Sequence, residues 1–138
     1  MKIWLIDTAP FVAYIDRTDP AHADVAASLD AFTGQLATSS AVITEVMYFL
    51  SDVDGGPLAF AELLAASGIR IAESTGPDQI LAAVQLMAKY SDTPMDFADA
   101  TLVLLADDLS VVELLTLDRR GFSTYRTAKG KPFRLVLS

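Results

Sequence analysis

The chain has 138 residues, the usual size of one domain and enough to bury a core without a metal ion or a disulfide. It has no cysteine, which excludes disulfides, cysteine-ligated zinc and thiol nucleophiles and favours a reducing compartment. The net charge of −8 argues against non-specific binding to nucleic acid, and the 52% hydrophobic content predicts an apolar surface covered by a partner or a second copy.

Short apolar, β-branched runs alternate along the chain with longer segments of helical periodicity. Strands are predicted near residues 2–6, 36–39, 69–72, 111–117 and 133–137. Helices are predicted near residues 20–33, 41–52, 57–67, 77–90 and 94–109. This alternation is typical of βαβ units, so we expect one α/β domain over residues 1–138, with about five parallel strands and helices on both faces.

The amino terminus is expected to begin this sheet and not to direct the chain to a membrane. Its apolar run, from Ile3 to Ile6, is short and ends at the carboxylate of Asp7, which does not fit a signal peptide. No mostly apolar run approaches the roughly 18 residues needed to cross a bilayer. We therefore expect a soluble protein of the cytoplasm that makes no membrane contact.

Two aspartates directly follow predicted strands. Asp7 comes after the strand near 2–6, and Asp118 comes after the strand near 111–117. In parallel sheets the ligand crevice lies beyond the carboxyl ends of the strands, so both carboxylates are expected there. The alternative is that each one caps a helix or a turn, where Asp is favoured for local hydrogen bonding.

Three further acids lie on predicted helices. Glu45 has apolar neighbours three and four residues away, and burying an unpaired carboxylate is costly, although it could also be a glutamate at the rim of the core. Asp99 lies in a helix that is apolar almost all round; the alternative is a charge that only complements the helix dipole. For Asp96, with Thr93 as the predicted N-cap and Pro94 at N1, capping and chemistry are equally supported.

The spacing of Asp96 and Asp99 suggests a cation. Residues three apart share a helix face, where like charges repel unless a cation stands near them. Oxygen ligands without His or Cys in reach favour Mg²⁺ or Mn²⁺ over zinc, and His22, the single histidine, is expected to be structural. Such an ion activates water, so phosphodiester hydrolysis needs no protein nucleophile. The Gly-x-Ser-x-Gly, P-loop and Gly-x-Gly-x-x-Gly motifs do not occur in the sequence.

Four short motifs follow one another in an order that resembles PIN-domain nucleases. They are Leu5-Ile6-Asp7-Thr8, the stretch from Ser39 to Glu45, Met95-Asp96-Phe97-Ala98-Asp99-Ala100, and Leu115-Thr116-Leu117-Asp118-Arg119-Arg120-Gly121-Phe122. Any one motif is weak, but the four acidic positions at family-like spacing form a fairly specific set. The likeness is greatest to VapC-type toxins of toxin–antitoxin pairs and spans nearly the whole chain.

This resemblance implies a PIN-like three-layer fold and an endoribonuclease that depends on Mg²⁺ or Mn²⁺. RNA would be the substrate, a cognate antitoxin the protein partner, and a homodimer the assembly. By position, Asp7 and Asp99 would be the principal metal ligands. Glu45 and Asp118 would complete the acidic catalytic pocket, directly or through water.

Two positions of the motifs vary within the family that the chain resembles. Asp96 corresponds to an accessory catalytic acid that part of the family carries. Gly121 departs from the pattern, because many relatives have another acidic or polar residue before the Phe. The departure puts a fifth carboxylate on that loop in doubt and leaves the core set unchanged.

The basic residues are concentrated at the end of the chain. Residues 1–118 carry 18 acidic and 4 basic side chains, a net charge of −14, whereas the remainder carries +6 and no acid. We expect this stretch, beginning with Arg119 and Arg120, to bind RNA phosphates beside Asp118 and, by the resemblance, to lie where an antitoxin docks. The alternative is that its side chains pair with the acids of the body as a solvated face.

Two other classes of protein compete with the nuclease interpretation. A phospho-receiver domain also places acids at strand ends, and Lys131-Pro132 superficially echoes one, but the first strand here ends in a single Asp and only six residues follow Pro132. A PIN-like scaffold that binds RNA or protein without cleavage is the other. The retention of all four acids argues against it only weakly.

Overall fold

A computed structural model describes residues 1–137 and contains a five-stranded, all-parallel sheet. The strands are β1 (Ile3–Ile6), β2 (Gln35–Ser39), β3 (Arg70–Ala72), β4 (Glu113–Leu115) and β5 (Arg134–Leu135), in the spatial order β3-β2-β1-β4-β5. The predicted α/β class with about five parallel strands is confirmed. The order differs from the 2-1-3-4-5 arrangement of receiver domains, so that interpretation is wrong.

Seven helices surround the sheet within residues 1–137. They are α1 (Thr8–Ile15), α2 (His22–Ala31), α3 (Ser40–Leu50), α4 (Gly56–Ser67), α5 (Pro77–Lys89), α6 (Phe97–Leu109) and α7 (Arg119–Thr124). The sequence prediction missed α1 and α7. They have 8 and 6 residues, too few turns for a periodic apolar pattern to stand out.

The start of α6 was predicted three residues too early. Thr93 and Pro94 lie in a turn, and Asp96 itself is the N-cap of the helix, which begins at Phe97. The predicted N-cap at Thr93 is wrong because the Asp96 carboxylate accepts the hydrogen bond from the N–H of Asp99 that caps the first turn of the helix. The predicted edges of β4 and β5 were also too wide by two or fewer residues at each end.

The interior is formed by β1, β4 and the central helix α6. Seven residues of α6 are buried, which confirms the prediction that this helix is enclosed almost all round. Leu5 and Ile6 of β1 and Leu114 and Leu115 of β4 are fully buried beside it. Burying such side chains contributes roughly 1.5–3 kcal/mol each, so the centre of the sheet is the rigid base on which the loops at its ends are held.

The order of the strands fixes where a ligand crevice forms. The chain runs from β1 to β2 and β3 on one side and later returns to place β4 and β5 on the other side. The carboxyl ends of β1 and β4 therefore lie at the point where the direction of strand order reverses, the usual ligand crevice of open parallel sheets. Among the described helices, none is long and apolar enough to span a membrane.

Candidate active site

The five acids predicted from sequence line one cavity of about 330 Å³ at the carboxyl edge of β1 and β4. They are Asp7, Glu45, Asp96, Asp99 and Asp118. The other lining residues are Thr8, Ala9, Val12, Asp19 and Phe49. No basic side chain is among the residues that line this cavity in the described part of the chain. The negative charges therefore face one another without compensation.

Asp7 is the most deeply placed of these acids, with 6% of its surface exposed. One carboxylate oxygen accepts a hydrogen bond from the backbone N–H of Thr8 (2.8 Å) and the other accepts one from the Thr116 hydroxyl (2.8 Å). Burial raises the pKa of Asp7 to about 6, against the opposing effect of these hydrogen bonds and with added repulsion from Asp96 and Glu45. Asp7 is also the N-cap of α1, so the same residue caps a helix and lines the cavity.

Asp96 and Asp99 hold each other at the start of α6. The Asp96 carboxylate accepts from the N–H of Asp99 (2.8 Å), and the Asp99 carboxylate accepts from the N–H of Asp96 (3.1 Å). This reciprocal capping fixes both side chains. Burial, then the charges of Asp7 and Asp96, raise the pKa of Asp99 to about 8. At neutral pH, without a cation, Asp99 therefore binds a proton for much of the time.

Asp118 is the N-cap of α7 and accepts a hydrogen bond from the N–H of Gly121 (3.0 Å). Its own N–H donates to the hydroxyl oxygen of Thr116 (3.0 Å), and this same hydroxyl donates to Asp7. Thr116 is fully buried and thus bridges two of the predicted site acids. The sequence analysis gave Thr116 no role, although it lies only two residues before Asp118, within the same motif.

The glycine that departs from the family pattern has a steric role. A Cβ atom at position 121 would collide with Oδ2 of Asp118 and would lie 3.0 Å from the hydroxyl oxygen of Tyr125. The Asp118 carboxylate thus occupies the space that a side chain at 121 would need. The absence of a fifth carboxylate on this loop follows from the placement of Asp118.

Glu45 reaches the cavity from the middle of α3. It is half-buried, and its charge contributes to the raised pKa of Asp7. Phe49, one turn later on α3, lines the same cavity and is 53% exposed. The acidic floor of the cavity therefore has an aromatic rim, which the sequence analysis did not anticipate.

The acidic side chains of the cavity fit a hard cation that keeps several of its waters better than a cation bound by protein ligands alone. Within residues 1–137, no three acidic side chains are grouped closely enough to hold one ion as they stand. Mg²⁺, however, usually binds through one or two carboxylates and keeps several waters. The buried hydroxyl of Thr8, beside Asp7, has no hydrogen-bond partner. Uncompensated acids and an unpartnered hydroxyl on one cavity fit a cation that brings its own water.

The basic end of the chain does not form one surface. Arg119 and Arg120 are exposed in the first turn of α7, directly after Asp118. Arg134 lies 3.7 Å from Glu113, an ion pair at the amino end of β4 and β5. Lys129 and Lys131 line a different cavity, together with Glu113. The Arg126 guanidinium donates to the backbone carbonyls of Ser123, Thr124 and Tyr125. Arg119 and Arg120 therefore remain the candidates for holding a phosphate beside the acids.

Comparisons with known proteins agree with this arrangement. The family model described as PIN domain matches residues 4–128. The chain is 34% identical over 134 residues to the protein named Ribonuclease VapC26 of Mycobacterium tuberculosis, which covers 96% of this chain and 98% of the relative. It also resembles the crystal structure of VapC20 from the same organism, described as a sarcin–ricin loop cleaving toxin, with a TM-score of 0.76 and 18% identity over 86% of this chain and 91% of that one. At that identity, the second likeness bears on the fold alone.

Proposed function

Because this chain belongs to the PIN-domain family, we propose that it is an endoribonuclease dependent on Mg²⁺ or Mn²⁺ and the toxin of a toxin–antitoxin pair. The observation that carries the proposal is the cavity in which six acids, the five predicted from sequence and Asp19, meet without a basic side chain. The name of the relative at 34% identity, a ribonuclease, supports the reaction class. Divalent-metal dependence is general among VapC ribonucleases of this family.

Asp7 and Asp99 would hold the cation, and Glu45, Asp96 and Asp118 would bind its waters. When bound, the ion supplies an activated water and neutralises charge on a phosphoryl oxygen. The chain itself supplies rigid placement: Thr8 and Thr116 orient Asp7, and Asp96 orients Asp99.

The direct test compares cleavage of RNA by Asp7→Asn and by a matched control, Asp92→Asn. Asp92 is exposed, lies in the turn before α6 and is outside the acidic cavity. We expect cleavage that requires added Mg²⁺ or Mn²⁺, a loss of about 100-fold or more in Asp7→Asn, and wild-type rates in Asp92→Asn. Equal cleavage by the two variants would remove Asp7 from the active site, and no cleavage by the wild type with either ion would favour the scaffold that binds without cleaving.

We further propose that Arg119 and Arg120 orient the RNA backbone over the acids. Removing a side chain that binds a phosphate should reduce both the affinity for RNA and its dependence on salt. The measurement is RNA binding to Asp7→Asn protein over a salt series, with Arg119→Ala/Arg120→Ala against Lys129→Ala/Lys131→Ala. A reduced salt slope in the first pair alone is expected. Identical slopes would remove these arginines from the substrate path.

The remaining proposals concern partners and location. Six of the eight large apolar residues that are exposed in the described part of the chain lie in two groups, Tyr48, Phe49 and Leu58 on α3 and α4, and Ile80, Leu81 and Val84 on α5. Contiguous exposed apolar patches are typical of interaction sites. We propose that an antitoxin and a second copy of the chain cover such surfaces in the cytoplasm. Sedimentation of the isolated chain, which should give a dimer, tests the second of these.

A further inference from the structure

Tyr125, the C-cap of α7, makes a hydrogen bond to the segment that precedes α6. Its hydroxyl donates to the carbonyl oxygen of Pro94 at 2.6 Å and lies 3.4 Å from that of Thr93. Thr93 and Pro94 form the turn that leads directly into Asp96, the N-cap of α6. One hydrogen bond thus joins α7, the helix that Asp118 caps, to the segment just before α6, the helix that carries Asp99.

The ring of Tyr125 is fixed before its hydroxyl makes this contact. The side chain is fully buried and packs edge-on against Tyr90 and Phe122, with ring centroids 5.1 Å away in both cases. Such aromatic contacts contribute about 0.5–1.5 kcal/mol each beyond burial. The position of the hydroxyl oxygen is therefore determined by the core and not by the turn that it holds.

The hydroxyl also lies close to the acids. It is 3.0 Å from the point where a Cβ of residue 121 would stand, the same point that Oδ2 of Asp118 obstructs. Burial, together with the charges of Asp99, Asp118, Asp96 and Asp7, raises the pKa of Tyr125. The phenol therefore stays protonated and remains a donor throughout the physiological range.

We propose that Tyr125 is a positioning residue of the nuclease, which sets the separation between Asp118 and the Asp96–Asp99 pair through its bond to the Pro94 carbonyl. This inference rests on the proposed function, since it concerns the geometry of the same acids. Tyr125 does not line the cavity, so it acts through the acids and not on the substrate. A displacement of about 1 Å in such a group lowers a rate by as much as about 100-fold.

A buried tyrosine whose hydroxyl only satisfies the core is the competing explanation, and Tyr90 provides the matched control. Tyr90 belongs to the same aromatic cluster, but its hydroxyl accepts a hydrogen bond from the N–H of Arg126 (3.0 Å), whereas the hydroxyl of Tyr125 donates to the carbonyl of Pro94. Tyr125→Phe and Tyr90→Phe each remove one oxygen and one hydrogen bond from that cluster. A structural role predicts the same behaviour for both.

The experiment measures kcat and KM for RNA cleavage well below the melting temperature of each variant. We expect kcat to fall about 10- to 100-fold in Tyr125→Phe with little change in KM, and to stay at the wild-type value in Tyr90→Phe. The rise in melting temperature caused by Mg²⁺ should also be smaller in Tyr125→Phe than in Tyr90→Phe, because the acids are less well placed. Equal kcat values in the two variants would overturn the proposal, as would a Tyr125→Phe chain that does not fold beside a folded Tyr90→Phe.

A double-mutant cycle with Asp118→Asn separates positioning from stability. If Tyr125 acts by placing Asp118 against the α6 acids, its loss should have little further effect once the Asp118 charge is gone. Additive losses would contradict the proposal. Should Asp118→Asn and Asp99→Asn both cleave RNA like wild type, the assignment of the acids as the active site fails, and should the wild type not cleave RNA, the proposed function fails. Should both variants be inactive while Tyr125→Phe is normal, only the positioning role fails.

Discussion

At the amino end of β4 an acid and a base face each other, whereas beyond its carboxyl end only acids meet. Glu113 and Arg134 pair across β4 and β5 at 3.7 Å and are both accessible to water. Asp7 and Asp99, at the other end, are drawn out of water with no basic partner, and their pKa values are raised. The charges at the amino end of β4 are thus paired, as a stable fold favours, whereas the charges beyond its carboxyl end are not. Such a departure from pairing is the mark of a functional site.

The largest expected effect is that of removing one uncompensated charge. Asp99→Asn should lower RNA cleavage by about 100- to 1,000-fold while leaving the metal-free protein as stable as wild type or more so, because repulsion from Asp7 and Asp96 is relieved. Activity assays and urea unfolding without metal measure the two quantities. A variant that loses activity only because it unfolds would contradict the comparison, since acids at this end are predicted to oppose folding.

A smaller effect is expected when the Asp118 carboxylate is displaced but kept. Gly121→Ala places a Cβ against Oδ2 of Asp118, so kcat should fall about 10- to 100-fold. Gly130→Ala is the control, since Gly130 has a positive φ of 78° and open space around it, and its replacement should reduce stability without reducing kcat. If Gly121→Ala retains full kcat, the exact placement of Asp118 does not matter for the reaction.

The pH dependence of stability should distinguish the two ends. The folded-state pKa of Asp7 and of Asp99 lies above the ordinary value of 3.8, at about 6 and about 8, so each binds its proton more tightly in the folded chain. Their stabilising contribution is present near pH 4 and is lost as the pH rises through 6 and then 8. Thermal melts of the metal-free protein should therefore show a falling melting temperature over this window.

Asp99→Asn should flatten the upper part of this pH profile, and saturating Mg²⁺ should do the same in the wild type. Glu113→Gln is the control for this profile, because Glu113 does not line the acidic cavity. A wild-type profile that rises from pH 6 to 8 without metal would show that the acids are compensated after all.

The smallest effect is expected at the amino end. Breaking the Glu113–Arg134 pair with Glu113→Gln should cost at most about 1 kcal/mol, as is usual for accessible ion pairs, and should leave cleavage unaffected. Urea unfolding measures the cost. A larger loss would mean that the charges at this end of the sheet affect the free energy of unfolding as strongly as those at the acidic end.

Apolar periodicity predicts the strands of the sheet, and the ends of those strands point to the acids, so both could be predicted from the sequence. Ile3 to Ile6 and the apolar α6 segment are unambiguous patterns, and Asp7 and Asp118 follow strands directly. Capping a helix and lining the ligand crevice were treated as alternatives, but the structure shows that one residue can do both. Asp7, Asp96 and Asp118 each cap a helix that begins at the cavity edge.

Other features depend on contacts between distant parts of the chain and leave little local signal. The bridge from Thr116 to Asp7 spans 109 positions, and the bond from Tyr125 to Pro94 spans 31. For the same reason, the sequence did not show that the basic residues after Asp118 lie on different parts of the surface. The positions of Lys129 and Lys131 are set by where β5 joins the sheet, which charge counting along the chain does not reveal.

Paramagnetic broadening by Mn²⁺ tests most directly whether the acidic end of the sheet binds a hard divalent ion. The amide signals of Thr8, Asp99 and Gly121 report on the carboxyl edge, and the single Trp4 indole and the Lys129 amide report on other parts of the surface. Substoichiometric Mn²⁺ should broaden the first three signals and spare the last two, and Asp7→Asn/Asp99→Asn should abolish this selectivity. Broadening spread evenly over both groups, or unchanged in the double variant, would contradict the account.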